Sequence, residues 1–315
     1  MNESSFPNVT GTSPSKSAAK KRLAIYLAVT FCLTWGLLIP AGFSLGTFAN
    51  GEASSMGMMG FIALSMFFPL VGALVANFAC KPEGRIYLGW RPLVNQNIRN
   101  YLIAWFAPAG ITLLGCIVFF ALNLHLFDPT MQSFIETTAT TAGLSAEEPL
   151  ANQPPMHVMA AAALFSAITY APFINMVPAF GEELGWRGML FPTLCELMAP
   201  RAAALVSGVI WGIWHAPAIA MGHNYGMAYP GFPWTGIITM TVACTAMACW
   251  LSYLRTRSGS VWPCALAHGS FNAAANMGIM FCTVGQTLAG PSPLGYIAGI
   301  PLLVLGSVCW LKMKP

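Results

Sequence analysis

Two adjacent carboxylates, Glu182 and Glu183, stand with Arg187 in a chain of which only 8% is charged. Ionisable side chains beside long apolar runs are costly to keep, so the cluster is a candidate working site. If the run is helical, Glu183 and Arg187 lie four residues apart on one face and can pair. Glu182 is then turned about 100° away, free to point elsewhere. An ion pair beside a spare carboxylate is a way to hold one reactive group in apolar surroundings. The bland reading is a charged cytosolic loop. Two more polar pairs share the four-residue spacing: Trp211 with His215 in one apolar segment and His268 with Asn272 in another, with Asn276 one turn further along the same face. One membrane histidine alone can be an interhelical hydrogen bond. A carboxylate pair, two histidines and an asparagine on three segments look like a catalytic set rather than glue. Two histidines and a glutamate would also satisfy a three-ligand zinc site, although no His-Glu-x-x-His run occurs.

The elements that must position these residues are membrane helices. The chain has 315 residues, of which 56% are hydrophobic, and a mean hydropathy of +0.64, which leaves too little polar surface to cover a soluble globule. Apolar segments near residues 23–45, 57–79, 101–124, 158–180, 202–221, 235–254, 261–283 and 295–311 each approach the ~20 residues that cross a bilayer. The expected fold is an all-α polytopic membrane protein of about eight transmembrane helices. A disordered basic tail over 1–22 precedes a single helical domain over 23–315, whose motif-bearing core spans about 160–285. In this arrangement all 14 Lys and Arg residues fall in alternate connections, which puts both termini in the cytosol.

Pro172 and Pro178 are expected to break the fourth segment, so that the carboxylates begin a fresh helical turn. Gly208 and Gly212 place small residues on one face for close packing. His125, His157 and His223 fall at outer segment ends and read as interfacial, as does the aromatic stretch from Tyr225 to Trp234. Asp128, Glu136, Glu147 and Glu148 lie in a long solvated loop. The nine cysteines form no metal or disulfide pattern and read as packing residues. The Asn8 sequon sits in the tail and carries little weight. Basic residues in short clusters without interleaved aromatics argue against nucleic acid as a partner. At ~1.5 Å per residue, His268 should lie about 10 Å from the cytosolic end of its helix and His215 about 20 Å beyond Arg201, a mismatch for helix tilt to absorb.

The three motifs, Glu182-Glu183-Leu184-Gly185-Trp186-Arg187, Trp211-Gly212-Ile213-Trp214-His215 and His268-Gly269-Ser270-Phe271-Asn272, resemble the signature of a known family. This is the CAAX protease and bacteriocin-processing family of intramembrane endopeptidases, which includes the type II CAAX prenyl endopeptidase. The family pattern has Phe where Trp211 stands, an aromatic exchange that bears on local packing. The resemblance implies a metal-independent glutamic endopeptidase with no cofactor. Glu182 and His215 would deprotonate water, His268 and Asn272 would donate to the oxyanion, and Glu183, Arg187 and Trp211 would support them. The implied partners are a peptide or protein substrate, lipid-modified or membrane-anchored, and membrane lipids. The implied location is a bacterial inner membrane. Other readings stay open: a non-catalytic immunity or scaffolding protein of the same fold, a zinc-dependent membrane protease, and a transporter with a carboxylate proton relay.

Overall fold

The computed structural model describes residues 15–50, 56–141 and 154–315. Most of the expected tail, with the Asn8 sequon, and Glu147 and Glu148 lie outside the described residues. Those described form helices joined by turns, with no strand longer than an isolated bridge between Phe127 and Cys282. In chain order the helices used below are α1 (Lys16–Ser44), α2 (Met56–Ser65), α3 (Phe68–Phe78), α4 (Val94–Leu122), α5 (Gln132–Thr141), α6 (Met156–Ile168) and α7 (Ala171–Gly185). A π-helical turn (Trp186–Leu190) leads to α8 (Phe191–Cys195), α9 (Pro200–Trp214), α10 (Ala216–Ala220), α11 (Trp234–Ser258), α12 (Trp262–Ala274) and α13 (Ile300–Lys312).

This is a polytopic all-α membrane protein. Among the described residues, five stretches are long and apolar enough to cross: Lys16–Ser44, Gly57–Phe78, Val94–Leu122, Pro200–Ala220 and Trp234–Ser258. The apolar pair His157–Ile168 and Ala171–Cys195 meets at a 47° bend, as a broken span or a re-entrant loop does. The seventh and eighth expected segments shrink to the 13-residue helices α12 and α13, about 20 Å each. Between them the chain is rich in glycine and proline, including Gly285, Gly290, Pro291, Pro293, Gly295 and Gly299, and cannot hold a regular helix.

The first helix begins at Lys16, ahead of the expected start at Leu23, because Ser15 caps it by accepting from the Ala18 N–H at 3.2 Å. The basic run Lys20-Lys21-Arg22 is therefore helical, and Arg22 is buried. Its guanidinium donates to Thr193 Oγ1 at 2.9 Å, to the Gly84 carbonyl and to Glu196 at 2.6 Å. Other bonds link the remaining basic connections at the same end. Val261 donates to the Gly89 carbonyl, Trp262 to Trp90, Asn97 to Ser258, and Arg201 to Met313. At the opposite end, Asp128 donates its backbone N–H to Phe281 and Thr283 to Leu126. The sequence alternation of connections thus corresponds to two ends of one bundle.

The loop expected to be solvated is ordered around Asp128. That carboxylate is buried yet held below the usual carboxylate range: burial pushes it up, and the donors Thr130 and Ser133 outweigh this. All nine cysteines are free, six of them buried in the packing.

The core lies around α7, the π turn, α9, α11 and α12. Lipid supplies no hydrophobic drive between helices, so close backbone approach and polar contacts must join them. A Cβ at Gly208 would stand 2.5 Å from the Thr245 Cα, and one at Gly212 would meet Thr241, so the expected small-residue face is where α9 meets α11. Gly269 serves α12 in the same way: a Cβ there would lie 2.5 Å from the Met176 nitrogen and 2.7 Å from the Pro172 carbonyl oxygen of α7.

Candidate active site

The two carboxylates sit in the last turn of α7, not in a new helix. Pro172 occupies the first turn, where a missing N–H costs nothing, and Pro178 is accommodated inside the helix. The break expected from these prolines falls earlier, at Thr169 and Tyr170 between α6 and α7. After Gly185 the backbone widens into the π turn, in which Phe191 N–H reaches the Trp186 carbonyl. Such widenings recur at functional sites because they re-aim side chains.

Burial decides against the charged-loop reading. Glu182 is 2% exposed, and Glu183 and Arg187 are 0% exposed. Arg187 is thus an interior charge, not one of the surface charges that mark orientation. Glu183 Oε1 accepts from Arg187 Nη1 at 3.0 Å, the expected pair, and also from His268 Nδ1 at 2.9 Å. One buried carboxylate therefore joins α7, the π turn and α12. The Arg187 guanidinium lies over the Trp211 ring at 4.4 Å, a cation–π contact that partly compensates its Nε and Nη2, which have no hydrogen-bond partner among the described residues.

Glu182 does not point away freely as the helical wheel suggests. Its Oε2 accepts from two indoles, Trp186 Nε1 at 3.1 Å and Trp211 Nε1 at 2.8 Å. The aromatic exchange at Trp211 therefore bears on more than packing, because the indole supplies a donor that phenylalanine lacks. Trp186 was not singled out from the sequence, although its spacing of four from Glu182 was a legible signal.

His215 lies at the junction of α9 and α10, two residues before Pro217. Its Nδ1 is 2.9 Å from the Trp211 carbonyl oxygen, which can only accept, so that nitrogen carries the proton and Nε2 is left bare in the neutral ring. His268, with Nδ1–H committed to Glu183, likewise keeps Nε2 for other work. The mismatch in depth vanishes in three dimensions: the Trp211 ring lies 6.0 Å from the His215 ring and 5.3 Å from the His268 ring.

Glu182, His215, His268, Asn272 and Asn276 all line one cavity of about 350 Å³, enclosed by α1, α2, α7, α9, α11 and α12. Asn276 lies past the end of α12 but still reaches the cavity wall. His223, expected at the membrane interface, lines the same cavity, while His125 and His157 are exposed as expected. Asn175, two turns before Glu182 on α7, is a further lining amide that the motifs did not reveal. Among the described residues no three His, Cys, Asp or Glu side chains converge in a group that could hold a metal ion, so the zinc reading gains no support from the geometry.

Residues 154–274 match the family model described as Type II CAAX prenyl endopeptidase Rce1-like. The chain is similar to CAAX prenyl protease 2 of Methanococcus maripaludis, with 36% identity over 53 residues. That stretch is 17% of this chain and spans 20% of the relative's length.

Proposed function

We propose that the chain, whose residues 154–274 match the Rce1-like model of type II CAAX prenyl endopeptidases, is an intramembrane endopeptidase of the CAAX protease family that cleaves a membrane-associated peptide with a glutamate-activated water. The observation that carries the reading is the convergence of Glu182, His215, His268 and Asn272 on one cavity. Water held between Glu182 Oε1 and the bare Nε2 of His215 gives up a proton as its oxygen bonds to the scissile carbonyl carbon. The oxyanion that forms is held by Asn272 Nδ2 and by Nε2–H of His268. His268 already spends Nδ1–H on Glu183, so this donation requires the imidazolium. The proton then passes from Glu182 to the leaving nitrogen as the C–N bond breaks. Glu183 and Arg187 keep the His268 ring in place.

A substrate anchored by a lipid or an apolar segment fits the mixed walls of the cavity, where Met59, Met66, Met240 and Met247 lie beside the amides. The membrane is in this reading a bacterial inner membrane, with both termini on the cytosolic side.

Glu182→Gln tests the mechanism, because it preserves size and indole contacts but removes the base. Against quenched membrane-anchored peptides in proteoliposomes, the variant should lose about 10²–10⁴-fold in kcat/KM, with its unfolding temperature unchanged and a chelator without effect on the wild type. Undiminished turnover by Glu182→Gln overturns the glutamate mechanism, and chelator inactivation reversed by zinc overturns the metal-free one.

A further inference from the structure

We propose that Trp186 and Trp211 are positioning residues that clamp Glu182 through Oε2 and thereby make Oε1 the oxygen that takes the proton from water. The inference rests on the reading of Glu182 as general base. Two indole N–H groups, 3.1 and 2.8 Å away, converge on the same carboxylate oxygen. An indole nitrogen donates and cannot accept, so neither contact can reverse its sense or pass a proton onward. Among the described residues Glu182 Oε1 has no hydrogen-bond partner, both bonds being to Oε2, and Glu182 lines the cavity.

Both donors are immobilised. Trp186 is 0% exposed and packs edge-on against Tyr26 at 5.9 Å and Trp214 at 5.8 Å. Trp211 is held between the Arg187 guanidinium at 4.4 Å and the His268 ring at 5.3 Å. A carboxylate gripped in this way stays aimed through the catalytic cycle. The water O–H breaks, its proton bonds to Oε1, and the same proton later leaves for the amide nitrogen, while both Oε2 contacts persist.

Each donor also favours the ionised over the protonated carboxyl, so removing one makes Glu182 protonate at higher pH. The other titratable or charged groups facing this carboxyl are Glu183 and Arg187 on its own run, Tyr26 from α1, His215 at the end of α9, Cys244 from α11 and His268 from α12. His223 reaches the same cavity from the loop after α10. All of these remain in both variants, so a difference from wild type isolates the donor.

The test compares Trp211→Phe and Trp186→Phe with wild type in detergent, by the pH profile of cleavage and by infrared titration of the Glu182 carboxyl band, assigned through its loss in Glu182→Gln. The expected result is a lower kcat with little change in KM. The acidic limb and the infrared midpoint should both move up by about one to two pH units for each lost donor. Infrared midpoints equal to wild type in folded variants overturn the clamp, as does unfolding of both variants, which would make the indoles packing residues. If one variant unfolds, the other decides. If the wild-type chain cleaves nothing, the peptidase reading fails while the infrared titration still decides the clamp.

Discussion

Over their most apolar stretches the first three long helical runs bury 22%, 28% and 33% of their residues, whereas Pro200–Ala220 and Trp234–Ser258 bury 56% and 61%. The outer runs are also the more apolar, at a mean hydropathy of 2.0 to 2.2 against 1.5 and 1.7 for the inner two. Packing explains why. The outer helices turn side chains such as Leu113, Leu114 and Ile117 outward, where lipid is as good a partner as protein. The inner helices carry the small residues and the polar contacts, and the cavity lies where their approach is incomplete. Arg22 marks where the outer layer is pinned to the core, since its buried guanidinium ties the start of α1 to Thr193 and Glu196.

This contrast can be broken most severely at Arg187. Replacing it by Ala leaves Glu183 buried with His268 as its remaining hydrogen-bond partner, and loss of one member of a buried ion pair costs ~3–5 kcal/mol. Denaturant unfolding in detergent should show a loss of that size. A variant as stable as wild type would remove the buried triad from the account of the core. A smaller effect is expected at Gly269→Ala, where the new methyl meets the α7 backbone at 2.5 and 2.7 Å and neither backbone can yield cheaply. Overpacking of this kind costs ~1–3 kcal/mol, read as a lower unfolding midpoint. The smallest belongs to the outer layer: Leu114, 55% exposed, should tolerate Ala within ~0.5 kcal/mol. A loss there as large as at Gly269 would mean that the outer helices are packed after all.

Most of the residues that line the candidate site were legible because their motifs are local. The spacing of Glu183 and Arg187 is set by helical pitch, and the pair forms as that pitch requires. The same spacing linked Glu182 to Trp186 and passed unnoticed, because an aromatic side chain in a membrane helix reads as packing until its N–H is seen to have a charged partner. The lengths of the helices in the seventh and eighth segments were not legible, because windowed hydropathy cannot tell a long helix from a short apolar one followed by buried turns. His223 escaped for a related reason. Its position after α10 suggests an interface, but the chain folds back there, with the His223 N–H donating to the Ala218 carbonyl, and the side chain meets the cavity.

The sequence by itself determined the all-α membrane class, the alternation of basic connections and the three polar pairs, since composition and helical periodicity act over a few turns of one segment. Only the tertiary structure decided that Glu183 is shared by Arg187 and His268, that Glu182 is gripped by Trp211 from another helix, and that two histidines at unequal nominal depths meet around one ring. Those contacts depend on the bend between α6 and α7, the π turn after Gly185, and close approaches at Gly208, Gly212 and Gly269. A shift of one turn in any of them moves a side chain by about 5 Å along the helix axis, farther than a hydrogen bond can reach.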